Sequence, residues 1–176
     1  MVSKTADLLL DYWHCLKEPV LDLACGDGRN GIFLAQKGLR VTCCDVSQRA
    51  LDRVRRAASK YGVEIELRQK DLEAEQGDPL PVDFYGGIVV FRYLHRPLIP
   101  SLKKALKNGG VLIFETFTIE QPRFGKPHNP DYLLRPGELL TWFGDWQLIH
   151  YFEGIRHDPK RAVGQIVCRK SKRIHL

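Results

Sequence analysis

The chain has 176 residues, a mass of 20.2 kDa, 44% hydrophobic and 27% charged residues, which excludes disordered and fibrous classes and suits one packed domain, 1–176. No apolar run approaches the ~20 residues that cross a bilayer, and Leu8-Leu9-Leu10 is too short for a secretion signal, so a cytoplasmic protein with no membrane partner is expected. The net charge is +6, and residues 156–176 carry all of it: seven cations (156, 160, 161, 169, 170, 172, 173) against the single acid Asp158.

Leu8, Leu9, Tyr12, Trp13 and Leu16 recur at helical spacing and predict a helix over 4–16, ended by Pro19. Val20 to Ala24 reads as a short buried strand, followed by a glycine-rich turn and a helix from Ile32 to Lys37 closed by Gly38. Val41 to Cys44 predicts a second strand with Asp45 at its end, and Ser47 caps a helix carrying Ala50, Leu51, Val54 and Ala57. Val63, Ile65 and Leu67 alternate as a third strand ending near Asp71. Ile88 to Phe91 is a fourth strand, Leu98 to Leu106 a helix stopped by Asn108-Gly109-Gly110, and Val111 to Phe114 a fifth strand. Strands alternating with helices imply a parallel, doubly wound α/β sheet. A proline-rich stretch from Phe117 to Arg135 then precedes a short helix at 137–143 and two strands near 146–153 and 162–168, whose short basic link implies antiparallel pairing.

Gly26-Asp27-Gly28-Arg29-Asn30-Gly31 has G-x-G-x-x-G spacing between a strand and a helix, where glycines let a ligand approach the backbone. Such spacing also serves ordinary tight turns. Three acids add weight: Asp22 lies inside the first predicted strand, and Asp45 and Asp71 end the second and third. Open α/β sheets bind ligands at the carboxyl ends of their strands. There a carboxylate can accept both hydroxyl hydrogens of a ribose, another can accept from an adenine amine, and Asp22 can reach an ammonium directly or through water. Each acid alone reads as a cap or a solvated turn; together they point to a nucleoside with a cationic tail. NAD would share the glycines and Asp45, but it would leave Asp22 without a task, and the chain is short for a second nucleotide half plus a catalytic domain. S-adenosylmethionine has the required form.

Val20-Leu21-Asp22-Leu23-Ala24-Cys25-Gly26-Asp27-Gly28-Arg29-Asn30 resembles the first motif of class I S-adenosylmethionine-dependent methyltransferases, and Asp45 and Asp71 match that family's second- and third-strand acids. Within the family the chain resembles the tellurite-resistance methyltransferase group, through Gly28-Arg29-Asn30, Pro136-Gly137-Glu138-Leu139, Asp145-Trp146 and Cys168-Arg169-Lys170. The resemblance implies a Rossmann-like, mostly parallel seven-stranded sheet with an antiparallel last strand. It implies S-adenosyl-L-methionine as cofactor, held by Asp22, Ala24, Cys25, Gly26, Gly28, Arg29, Asp45, Val46, Asp71, Leu72 and Phe91. Two positions depart from the pattern. Phe84 is followed by Tyr85-Gly86-Gly87 rather than an acid, and Arg92 stands where the group commonly has asparagine.

Methyl transfer from a sulfonium is an in-line displacement whose electrophile comes with the cofactor, so the protein's task is alignment. Arg92, His95 and Arg123 are the catalytic candidates; Tyr93, His95 and His128 are possible bases, without a spacing that marks a catalytic pair. Arg92, Arg96, Arg123, Lys126 and His128 could hold an oxyanion, and each reads equally as a solvated loop charge. His14 and His150 beside aromatics, and Trp13, Trp142 and Trp146, read as structural. Cysteines 15, 25, 43, 44 and 168 contain no C-x-x-C pair, so neither a disulfide framework nor a metal site is expected. The expected acceptor is a small molecule or oxyanion. An RNA or DNA acceptor is the alternative, weakened because no aromatic interleaves the basic C-terminal cluster. A non-catalytic cofactor-binding protein is a third reading.

Overall fold

A computed structural model describes residues 4–74 and 79–171. Lys172 and Arg173 of the basic cluster lie outside the described residues. Helix α1 (Asp7–Tyr12) buries Leu8 and Leu9 and continues only as a 3-10 turn over Trp13–Cys15, shorter than the predicted helix because Tyr12 leaves helical geometry at φ −123°. Strand β1 (Val20–Leu23) is buried along its length and pairs in parallel with β2 (Val41–Asp45) and β4 (Tyr85–Phe91). Helix α2 (Arg29–Gln36) links β1 to β2. Helix α3 (Gln48–Tyr61) is capped by the Ser47 hydroxyl, which accepts from the Ala50 amide, and is ended by Gly62 at φ 64°; it leads to edge strand β3 (Glu66–Gln69). Helix α4 (Ile99–Ala105), β5 (Leu106–Phe117), α5 (Glu138–Phe143), β6 (Gln147–His157) and β7 (Lys160–Arg169) complete one seven-stranded sheet of order β3-β2-β1-β4-β5-β7-β6. The last strand, β7, runs antiparallel to both β5 and β6, as expected.

Two further sequence expectations change. Asn108-Gly109-Gly110 does not stop a helix but lies within β5, where the Gly109 amide donates to the Lys170 carbonyl and the Lys170 amide to the Gly110 carbonyl. A Cβ on Gly110 would sit 2.9 Å from the Lys107 oxygen and 3.0 Å from that of Gly86, so Gly110 serves close backbone approach, while Gly109 meets a φ of 78°. The basic link between the last strands is itself strand, with the pairing continuing to His157 opposite Lys160. The departure at Phe84-Tyr85-Gly86 has a steric cause. Any Cβ on Gly86 would fall 2.5 Å from the Lys17 oxygen, and the Gly86 amide donates to the Pro19 carbonyl at 2.9 Å.

Alternating residues of the central strands fill two cores. Leu21, Leu23, Ile88, Val90, Leu112 and Phe114 pack towards α4 and α5; Val20, Val41, Val89, Val111 and Ile113 pack towards α1, α2 and α3. Cys43 and Cys44 divide between these layers, and every cysteine is free. Trp146 is buried against Phe143, while Trp13 meets Phe33 edge-on. Among the described residues, no helix is long and apolar enough to cross a membrane and no group of three acids, histidines or cysteines is placed to hold a metal.

Candidate cofactor and acceptor site

The strand order reverses between β1 and β4, where β1 pairs on one side with β2 and on the other with β4. This switch point opens a crevice at the carboxyl ends of the parallel strands. The glycine turn leaves β1 with Ala24 at φ 53° and enters α2 through Gly28 at φ 72°. Gly28 is required twice over, because a Cβ there would also lie 2.6 Å from Val54. Gly31 answers a packing demand: a Cβ would meet the Cys43 sulfur at 2.4 Å and the Asp22 Oδ2 at 3.1 Å.

Asp45 braces this turn. Its Oδ2 accepts from the Gly26 amide at 2.8 Å and its Oδ1 from the Ser47 amide at 2.9 Å. Asp71, exposed, accepts from the Glu73 amide at 2.9 Å, and Glu73 accepts from the Tyr93 hydroxyl at 3.3 Å. A cavity of about 380 Å³ is lined by Ala24, Asp45, Val46, Lys70, Asp71, Leu72, Glu73, Arg92 and Tyr93. The structure thus gathers five of the predicted cofactor residues, Ala24, Asp45, Val46, Asp71 and Leu72, around one space. Lys70 and Glu73 are added by it; being solvent-side residues of a polar loop, they carry no pattern in the sequence.

Asp22 is buried beneath the turn, where its Oδ2 accepts from the Gly31 amide at 2.9 Å. Burial, opposed by that hydrogen bond, raises its pKa from 3.8 to about 7. The sign follows. Stability tied to this group is present in full below pH 3.8 and is lost as the pH rises through about 7, at about 1.4 kcal/mol per pH unit, so on the order of 3 kcal/mol goes between pH 5 and 7. Asp22→Asn keeps an acceptor for Gly31, so its thermal denaturation is expected to lose less stability between pH 5 and 8 than the native chain, by roughly that amount.

A second, smaller cavity of about 110 Å³ is lined by Lys4, Thr5, Ala6, Asp7, Arg29, Phe91, Arg92, Glu115, Asp158, Pro159 and Arg161. Arg92 borders both spaces. Its φ of 57° lies in the left-handed region, a conformation asparagine adopts more readily than arginine, so this departure from the resemblance sits at a backbone position that favours the commoner residue. Burial first, then the neighbouring Arg29 charge, holds the Arg92 guanidinium pKa below its ordinary range. The Arg161 side chain is 13% exposed, with Nη2 4.0 Å from Glu115 Oε1 and Nη1 donating to the Pro159 carbonyl at 3.1 Å. Glu115 accepts in turn from Gln165, whose Oε1 takes a hydrogen bond from Arg156 at 2.9 Å and lies 3.1 Å from His150 Nε2. An anion entering this space meets three guanidiniums.

Other candidates are placed elsewhere. Arg29 and Phe91 line the small cavity rather than the large one, and Cys25, Gly26 and Gly28 form the turn beside them without lining either. His95 is half-buried before a 3-10 turn over Arg96–Leu98 and lines neither cavity. Arg123 pairs with Glu120 at 2.7 Å and stacks on Phe124; with Lys126 and His128 it also lies outside both. Arg96 is a structural clamp and not an oxyanion holder: it makes a two-pronged pair with Glu138 at 2.7 and 2.9 Å and donates to the carbonyls of Asp131 and Leu133, all outside the cavities. Arg96→Ala is expected to cost about 2 kcal/mol in chemical denaturation without changing ligand affinity, since charged hydrogen bonds are lost far from the crevice. Arg161, Glu115 and Gln165 escaped sequence reasoning because Arg161 belonged to a run of apparently solvated cations.

A methyltransferase domain model matches residues 20–110. A probable S-adenosyl-L-methionine-dependent methyltransferase TehB of Haemophilus influenzae is 28% identical over 141 residues, covering 77% of this chain and 48% of its own. The chain therefore spans about half the length of that relative. The tRNA 5-carboxymethoxyuridine methyltransferase of Escherichia coli is 25% identical over 174 residues, covering 83% of this chain and 66% of its own. The crystal structure of TehB from Haemophilus influenzae superposes with a TM-score of 0.78 over 97% of this chain and 64% of that one, at 21% identity.

Proposed function

Because the chain belongs to the methyltransferase-domain family, we propose that it binds S-adenosyl-L-methionine in the large cavity and directs methyl transfer to a small anionic acceptor in the neighbouring one. One observation carries the reading: Arg92 forms a wall of both cavities, so a cofactor-sized space opens beside a small space where three guanidiniums and Lys4 outnumber three carboxylates.

The residues suit the cofactor. Asp45 has carboxylate lone pairs left after bracing Gly26 and Ser47, and these serve ribose hydroxyls. Asp71 and Leu72 offer an acceptor and an apolar surface to the adenine. Asp22, buried behind the turn, supplies the negative charge for an ammonium, and its elevated pKa makes cofactor affinity rise between about pH 6 and 8. The cofactor, once bound, brings an electrophilic methyl group on a sulfonium. The chain's own contribution is alignment and charge: Arg92 and Arg161 orient an oxyanion acceptor, while Glu115 and Gln165 hold the arginine wall. An acceptor already ionised needs no base, and among the described residues no histidine lines either cavity.

The test is calorimetric titration with S-adenosyl-L-methionine, followed by transfer of isotope-labelled methyl to a panel of carboxylates, inorganic oxyanions, neutral amines and alcohols. Saturable binding with transfer confined to anions supports the reading. Binding without turnover, or transfer only to neutral acceptors, removes the acceptor half; absence of binding removes it all.

A further inference from the structure

Among the described residues, the cations that the sequence concentrates near the C-terminus are largely absorbed by the fold. Arg156 donates to Gln165 and stacks on Phe152, Arg169 donates to the Gly109 carbonyl, and Lys170 reaches the carbonyls of Lys103 and Leu106. Among the described residues, an open concentration of positive charge lies on α3, which holds five cations (Arg49, Arg53, Arg55, Arg56, Lys60) and one acid, Asp52. Asp52 is taken by Arg55 at 2.9 Å and by Gln48.

The remaining four cations follow a spacing of four, three and four residues, so they form one narrow row on the side of the helix away from buried Ala50, Leu51, Val54 and Ala58. All four are exposed, and the side chains of Arg49, Arg53 and Arg56 make no ion pair or hydrogen bond among the described residues. At 1.5 Å per residue the row is about 16 Å long, with a charge every ~5–6 Å. Like charges so spaced repel along a helix, and a chain of anions in register removes the repulsion. Tyr61, 42% exposed, stands at the far end of the row beside Lys60.

We propose that Arg49, Arg53, Arg56 and Lys60 dock the phosphodiester backbone of a nucleic acid. This goes beyond the methyl-transfer reading and does not rest on it. Three of the four are arginines, which fit phosphate oxygens in a fork, and the linear arrangement matches a strand rather than a flat sheet of headgroups. The apolar side of α3 is committed to the core, leaving nothing to insert into a bilayer, whereas Tyr61 offers a ring on which a base can stack.

Fluorescence anisotropy with labelled single-stranded RNA and duplex DNA of roughly 20 nucleotides, without cofactor, tests the proposal. Four phosphate contacts predict an affinity loss of roughly 50- to 150-fold between about 50 and 200 mM salt. The triple variant R49E/R53E/R56E is expected to bind more than tenfold more weakly while keeping its melting temperature and its affinity for S-adenosyl-L-methionine; R55E, off the row, should bind as the native chain does. Binding of either probe with these losses supports the proposal, and the stronger probe identifies the polymer. The proposal is overturned if the native chain binds neither probe at about 50 mM salt, or if the triple variant binds undiminished. It also fails if R55E costs as much as the triple variant, or if the chain binds vesicles of about 30% phosphatidylserine and no nucleic acid.

Discussion

Asp45→Ala is expected to weaken S-adenosyl-L-methionine binding at least ~100-fold, because one carboxylate performs two tasks. Its two oxygens fix the amides of Gly26 and Ser47 at 2.8 and 2.9 Å, which sets the path of the glycine turn, and the same group faces the large cavity. Removing it leaves the turn unbraced and the ribose without a charged acceptor. Losing two charge-assisted hydrogen bonds of about 1.5–3 kcal/mol each exceeds the ~2.7 kcal/mol that a hundredfold change requires. Asp45 is only half-buried at a strand end, so the fold is expected to survive with its circular dichroism unchanged. Asp45→Asn, which can accept with only one oxygen, should fall between the two. Calorimetric affinities equal to the native value would take Asp45 out of the site.

Arg161→Ala should act on the other half of the reaction. With S-adenosyl-L-methionine saturating and an anionic acceptor varied, kcat/KM is expected to fall about 30-fold or more while the cofactor Kd stays within a factor of two, the loss of one charged, bidentate partner being ~2 kcal/mol. Arg161→Lys should restore little, since an ammonium keeps the charge but not the planar fork. Arg123→Ala serves as the control: its partner is Glu120 and it borders neither cavity, so transfer should be unaffected. Equal losses in cofactor and acceptor affinity for Arg161→Ala would mean that the hairpin shapes the whole crevice rather than gripping the acceptor.

Arg92 shows how far each level of description reaches. Its position after the fourth strand and its departure from asparagine are both visible in the sequence, and they raise the expectation that it faces the acceptor. Its role as the partition between two cavities is not, because that depends on which residues come from the loop after β3, from β5 and from the β6–β7 turn. Arg96, four residues on, carries the same charge in the same segment. The structure nevertheless commits it to Glu138, which nothing local to either residue announces.

What the sequence determined by itself is the part written in short-range terms. Periods of two and of 3.6 give the strands and helices, Gly28 meets a local demand for φ of 72°, and acids at successive strand ends follow from where those strands stop. The small cavity beside Arg92 was decided only by the tertiary structure. Glu115 and Gln165 stand directly opposite in the antiparallel β5–β7 ladder, and Arg161 follows from that register. A slip of one residue would turn β7's side chains to the other face of the sheet, and no pattern within either strand records the alignment between them.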